Sequence, residues 1–347
     1  MKKVRPKDYP GRVENHARAA FNMARALHPY KDKAVMYPYT CNAELGNKLD
    51  EYPVMCGEWK NGVRVSIDSY ADYAIYYLKE MLKAGFNGVY DDNTFFTANY
   101  NWATGDAYID DNGVVHPSLG LWKNRRYIRR QAYLMHDLGI EPWITVHHTN
   151  ANILPVLSMA TNTMGMEWKY GLNDFQERFS PDYIRAVCQG LQGGFFPTVL
   201  DGIVGKDKAR CKEATRTMLA ALLSHEVRPT WMRNSDSALY AKLSDIFYDF
   251  GTYAPDCRHF SYWEGNSPVT PSDKRLLCST YRRGRKMLVF CGSYIPEEAK
   301  VSLVVDKPIV TAKNAETGDP IAIQKGNTLS FTMKKHDFAI LELETRE

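Results

Sequence analysis

Phe86-Asn87-Gly88-Val89-Tyr90-Asp91-Asp92-Asn93 decides the fold. A helix-period segment ends at Gly85, a short apolar run follows, and the run stops at two acids. The same phrase recurs along the chain. Pro142-Trp143-Ile144-Thr145-Val146 runs into His147-His148, and Thr163-Met164-Gly165-Met166 runs into Glu167-Trp168. Phe195 to Leu200 ends at Asp201, Pro229 to Met232 at Arg233-Asn234, and His259 to Trp263 at Glu264. Short apolar runs alternating with amphipathic helices read as βα units around a parallel sheet. In a (β/α)8 barrel the C-terminal strand ends converge on one face, where the chemistry is done.

The helical segments support this reading. Gly11 to Leu27 has helical spacing. Asp68-Ser69 caps a helix closed by Gly85, Tyr127 to Leu138 is closed by Gly139, and Ser180-Pro181 is an N-cap and N1 pair. Lys208 to His225 and Ala238 to Phe250 complete the set. Ala34 to Pro38 is a further short strand that its proline limits. The count is about seven strand candidates against the eight of a complete barrel, so the expected fold is α/β, a (β/α)8-like TIM barrel, incomplete by this count. Residues 93–121 make a long connection with a hairpin turn at Asp111-Asn112-Gly113, and such connections are usually functional.

From Leu276 the period changes. Leu276 to Tyr281 and Met287 to Cys291 flank Arg283-Gly284-Arg285, and short alternating strands continue to Leu343 around Thr317-Gly318-Asp319 and Lys325-Gly326-Asn327. This reads as a small antiparallel β-sandwich. The expected domains are a barrel over 1–270 and a sandwich over 271–347.

Composition narrows the function. A formal net charge of +4 without a long basic block argues against a nucleic-acid surface. Seven Cys without a CxxC pair argue against a zinc ribbon or a disulfide framework. No apolar run reaches the roughly 20 residues of a membrane helix. Met1-Lys2-Lys3-Val4-Arg5 leads into proline and charge, so no export signal is read there. The chain as written is expected in the cytoplasm, and exported if it is a piece of a longer or processed protein. Neither a Walker loop nor a dinucleotide fingerprint occurs, and no cofactor is expected.

The acids and aromatics carry the chemistry. Glycoside cleavage needs one protonated acid at the leaving oxygen and one anionic group near the anomeric carbon. Asp91, Asp92 and Glu167 are the candidates, and like charges held close push their pKa values apart. Turn capping or a structural ion pair are the competing readings of these acids. With 22 Tyr and 7 Trp, the chain is rich in side chains that stack on sugar faces. Tyr90, His147, Trp168, Asp201, Arg233 and Trp263 are the candidate sugar-binding residues, and Trp102 and Trp231 are further platforms. Consecutive His147 and His148 face opposite ways on a strand, which disfavours a shared metal. The rival readings are a non-catalytic carbohydrate-binding barrel and a metal-dependent hydrolase using His147 with Asp201.

The ordered motifs Gly85 to Asp92, Asp111-Asn112-Gly113-Val114-Val115-His116-Pro117, Arg125-Arg126-Tyr127, Val146 to Thr149 and Gly165-Met166-Glu167 resemble bacterial proteins similar to glycoside hydrolase family 123. The resemblance spans roughly residues 65 to 345. It implies a β-N-acetylgalactosaminidase-like barrel followed by a β-sandwich, without the usual N-terminal region. It also implies substrate-assisted, retaining hydrolysis. Asp91 then orients the substrate acetamide. The family's adjacent Glu is replaced by Asp92, which is one methylene shorter, and Glu167 is the alternative acid.

Overall fold

The computed structural model describes residues 39–41, 68–83, 85–92, 107–147, 153–170, 172–188, 195–203 and 205–346, with 94, 98 and 100. The helix expected at 11–27, the strand at 34–38, His148 and Trp102 lie outside the described residues. The chain divides into two compact units, Met1–Met166 with Leu191–Phe196, and Glu167–Gly190 with Pro197–Glu347. The protein is mixed α/β, with a parallel sheet and separate antiparallel sheets.

In the first unit, β1 (Tyr39–Cys41), β2 (Val89–Asp92), β5 (Ile144–His147) and the start of β6 (Asn162–Tyr170, of which Glu167 onward belongs to the second unit) lie side by side in chain order, all parallel. α1 (Asp68–Lys83), α2 (Leu121–Asp137) and the short α3 (Leu154–Leu157) supply the covering layer. Every residue of β5 is buried, as expected of a strand covered on both faces. Val89, Ile144 and Val146 join Leu78, Leu82, Ile128, Met135 and Leu157 in one core. Side chains alternate along a strand, so this is the helix-facing side of the sheet. The predicted turn closes the hairpin of β3 (Ala107–Ile109) and β4 (Val115–Pro117). There the Asp110 carboxylate accepts from Asn112 N and Val114 N, both at 2.9 Å, while Gly113 takes φ +79°. α2 begins at Leu121 rather than at Tyr127 as the sequence suggests.

In the second unit, β7 (Phe196–Ile203) and β8 (Arg228–Arg233) pair in parallel. α4 (Pro181–Cys188), α5 (Lys208–Leu223) and α6 (Ser237–Phe250) accompany them. β9 (Arg258–Phe260) corrects the sequence reading. It is not a barrel strand; it pairs antiparallel with β11 (Leu276–Arg283). The pattern of a three-residue strand does not reveal which partner's open edge will take it. β14 (Ile309–Asn314), β17 (Phe338–Thr345), β12 (Lys286–Ser293), β11 and β9 form one antiparallel sheet in that order. β10 (Val269–Pro271), β13 (Ala299–Val305), β16 (Thr328–Met333) and β15 (Ile323–Gln324) form another. Leu276, Val289, Leu341, Val301, Leu303 and Leu329 from the two sheets share one core. Among the described residues no helix is long and apolar enough to cross a membrane.

α5 is bound to the five-stranded sheet through polar contacts as well as packing. Arg216 reaches Glu316 at 2.8 and 3.1 Å and Asp337 at 2.7 Å, with its guanidinium 4.2 Å from the Phe338 ring centre. Burial opposes its charge, but the two carboxylates outweigh that and hold its pKa above the ordinary arginine value. Two acids and an arene around one planar cation cannot be served by a point charge. Arg216→Ala is expected to cost about 2 kcal/mol, because it strands two partly buried carboxylates. Urea unfolding measures this, and an unchanged midpoint would show that the ion pairs contribute nothing net.

Candidate functional site at the parallel strand ends

In the first unit the C-terminal ends of β2 and β5 lie side by side. Val89 pairs with Ile144, Tyr90 with Thr145 and Asp91 with Val146. Val146 pairs with Thr163 and His147 with Met164 on the next strand. Residues paired across parallel strands share a face, and alternate residues along one strand do too. Tyr90, Thr145, His147 and Met164 therefore occupy the face opposite the helices. Their contacts agree: the Tyr90 and His147 rings lie 6.3 Å apart, and the Tyr90 hydroxyl donates to the Met164 sulfur at 3.7 Å. Asp91 falls on the other side, in line with Val89 and Val146, and is 2% exposed. Asp92 is the last residue of β2, beside Cys41 of β1.

A residue that sequence reasoning missed locks these ends. Thr94 N donates to the His147 carbonyl at 2.8 Å, and Thr94 Oγ1 donates to the Asp91 carbonyl at 3.0 Å. One buried threonine thus fixes the exit of β2 against the end of β5. Its only sequence signal is a β-branched hydroxyl three residues after the first acid.

The second unit holds the other candidates. Glu167 and Trp168 lie within β6. Asp201 sits where the β7–β8 register slips between Leu200 and Gly202. Such a bulge re-aims a side chain and is common next to active sites. Arg233 ends β8 opposite Gly202. Asn234 follows at φ +61° and donates from Nδ2 to the Ile203 carbonyl at 3.0 Å, closing the two strand ends together.

Trp263 needs correction. It follows antiparallel β9 and so lacks the parallel strand-end position expected of a sugar-binding residue. It packs on His225, ring centres 5.8 Å apart and nearly parallel, and under the Arg185 guanidinium at 5.2 Å. His225 is itself structural. Burial pushes its pKa down to about 4, so it is neutral at neutral pH. Its Nδ1 lies 2.7 Å from the Ala221 carbonyl, which can only accept. The proton is therefore on Nδ1, and Nε2 accepts from the Tyr262 hydroxyl at 2.8 Å.

Asp174, Glu177 and His336 are the one set of three potential metal-binding side chains gathered together among the described residues. A cation is already supplied there. Lys335 Nζ lies 3.0 Å from both carboxylates, and His336 Nδ1 lies 2.9 Å from Asp174 Oδ2. Burial opposes ionisation of Asp174, but hydrogen bonds from His336 and Lys335 prevail and hold its carboxyl below the usual range. The group reads as a clasp between the 3-10 turn Phe175–Glu177 and the loop before β17.

No family model matches the chain, and no curated protein matches it by sequence. Its fold is shared with glycoside hydrolases of known structure. The α-amylase of Geobacillus thermoleovorans, solved with acarbose, matches with a TM-score of 0.54 at 8% identity, over 99% of this chain and 83% of the enzyme. The GH27 β-L-arabinopyranosidase of Geobacillus stearothermophilus matches at 0.51 and 11% identity, over 84% of this chain and 66% of the enzyme. α-Galactosidase I of Mortierella vinacea matches at 0.50 and 10% identity, over 96% and 93%. At such identities the likeness is one of fold, and function has to be argued from the site.

Proposed function

We propose that the protein is a glycoside hydrolase that cleaves a β-linked N-acetylhexosamine by a substrate-assisted, retaining mechanism. The observation that supports this reading is that Tyr90 and His147 share a face at the C-terminal ends of adjacent parallel strands, with Asp91 and Asp92 closing the same strand β2, in a fold shared with glycoside hydrolases. The two antiparallel sheets from Arg258 onward correspond, in this reading, to the C-terminal β-sandwich of a family 123-like architecture.

The chemistry assigns roles. The substrate's acetamido oxygen attacks the anomeric carbon while the leaving oxygen takes a proton from Asp92 or Glu167. Asp91 holds the acetamide N–H and offsets the positive charge that develops on the oxazolinium. Water then opens the oxazolinium and gives its proton back to the acid. Tyr90, His147, Trp168, Asp201 and Arg233 hold the sugar.

Because the internal nucleophile and water each invert the centre once, the first-formed product should be the β anomer. Proton NMR of the early reaction reads this directly. An α anomer formed first would mean a paired acid–base mechanism with wider carboxylate spacing, and would end the substrate-assisted reading. Of Asp92→Asn and Glu167→Gln, only the variant lacking the true acid should recover on a substrate whose leaving group needs no proton.

A further inference from the structure

The first unit carries a surface feature that the hydrolytic reading does not use. α2 reads Leu121-Trp122-Lys123-Asn124-Arg125-Arg126-Tyr127-Ile128-Arg129-Arg130, with no acid before Asp137. Of its cations Lys123 falls in the first turn, where a positive charge opposes the helix dipole by about 0.3–1 kcal/mol. The helix bears this without a capping side chain, since Gly120 occupies the N-cap position. A helix face this rich in cations asks for a purpose.

The side chains give one. Trp122, Arg125, Arg126 and Arg129 recur at helical spacing along one face. With Lys123 they line a depression of about 240 Å³. Trp122 is 69% exposed, so its indole is presented to solvent. Not every cation there is free to act. Arg126 is paired with Asp68 of α1, and Arg130 behind it pairs with Asp72 at 2.6 Å. Arg125 and Arg129 have no carboxylate partner among the described residues. Arg129 lies 5.9 Å from the ring centre of Tyr133, which braces it without neutralising it.

We propose that this face of α2 is a subsite for an acidic sugar residue, a uronate or a sulfate ester, within the glycan substrate. An exposed indole stacks on the apolar face of a pyranose ring. Two unneutralised guanidinium forks beside it match a carboxylate or sulfate group bidentately. A neutral sugar would use the indole and leave both charges idle. Nucleic acid would engage cations spread along a surface, whereas here they gather around one aromatic platform in a single depression. The proposal rests on the reading of the protein as a glycosidase, which supplies the glycan.

The test is equilibrium binding by the full chain, which does not require turnover. The probes are an oligosaccharide carrying both uronate and sulfate, its desulfated form, and a neutral N-acetylhexosamine oligomer of equal length. A DNA oligonucleotide and anionic phospholipid vesicles serve as non-sugar polyanions. The acidic oligosaccharide should bind at least ten-fold tighter than the neutral one and weaken as salt rises. The double variant Arg125→Ala with Arg129→Ala should erase that preference, Trp122→Ala should weaken both sugars, and Arg126→Ala should change little. Retained preference for the desulfated probe assigns the carboxylate, and its loss assigns the sulfate. Equal binding of acidic and neutral sugars, or DNA or vesicles binding as tightly as the acidic sugar, overturns the proposal. So does a double variant that keeps its helical circular dichroism and the wild-type preference. Hydrolysis of a small neutral N-acetylhexosaminide, assayed separately, reports on the catalytic reading alone and should be the same in the double variant.

Discussion

Asp91→Asn is expected to lower the turnover of an aryl β-N-acetylhexosaminide about 10²–10³-fold, the usual effect of removing one preorganised electrostatic contact to a developing charge. The substitution keeps the shape and removes the charge. Asp91 is 2% exposed, so its carboxylate acts where water screens little. KM should change far less than kcat, because the charge on the oxazolinium exists in the transition state and not in the bound substrate. Strand alternation makes the experiment a demanding one. Asp91 lies on the side of Val89 and Val146, whereas Tyr90 and His147 lie on the other. It reaches substrate only if the end of β2 turns it upward, where Thr94 ties that end to His147. A folded Asp91→Asn protein with wild-type turnover would make Asp91 a structural carboxylate of the helix-facing layer. The acid chemistry would then have to come from Asp92 and Glu167 alone.

How much of this was legible in the sequence depends on whether each feature is local. β5, buried along its whole length, and β8 end where the apolar runs before His147 and Arg233 place them, whereas β6 runs on to Tyr170 and β7 to Ile203, so Glu167 and Asp201 lie inside their strands rather than at the ends. The start of α2 was hidden. Trp122 to Arg126 is polar apart from one indole, and Gly120 at φ +59° is not one of the side-chain caps that announce a helix. β9 was legible as a strand but not as an antiparallel one, since direction belongs to its pairing with β11. The slip at Asp201 is likewise a property of two strands, and Asp174 meets His336 across 162 positions of sequence. Strands are thus readable one segment at a time. Which side of the sheet each acid serves is fixed only once the register is known.

Gly292→Ala should destabilise the protein by about 3 kcal/mol or more, above the ordinary cost of overpacking a core. Chain entropy alone predicts the opposite sign. Gly292 is not among the glycines with positive φ, and at such a site alanine ordinarily stabilises by about 0.4–1 kcal/mol through the unfolded state. Space decides against it. A Cβ at 292 would overlap the Ala220 carbonyl oxygen and the Ser224 hydroxyl, where the end of α5 crosses β12. Neither can swing away. The Ser224 hydroxyl donates to that same carbonyl at 2.8 Å, and the Ser224 carbonyl accepts from Ser279 Oγ at 2.7 Å. Ala220, Ser224, Ser279, Cys291 and Ser293 are all fully buried, so the strand has no slack on either side. α5 would have to lift from the sheet, taking with it the Arg216 contacts to Glu316 and Asp337. Gly284→Ala is the proper control. Gly284 has φ +56° and open space around its missing Cβ, so alanine there meets backbone strain of roughly 1–2 kcal/mol and no collision. Urea unfolding of the two variants should therefore place Gly292→Ala well below Gly284→Ala. A Gly292→Ala protein as stable as wild type, or more so, would mean that α5 does not approach β12 this closely in solution.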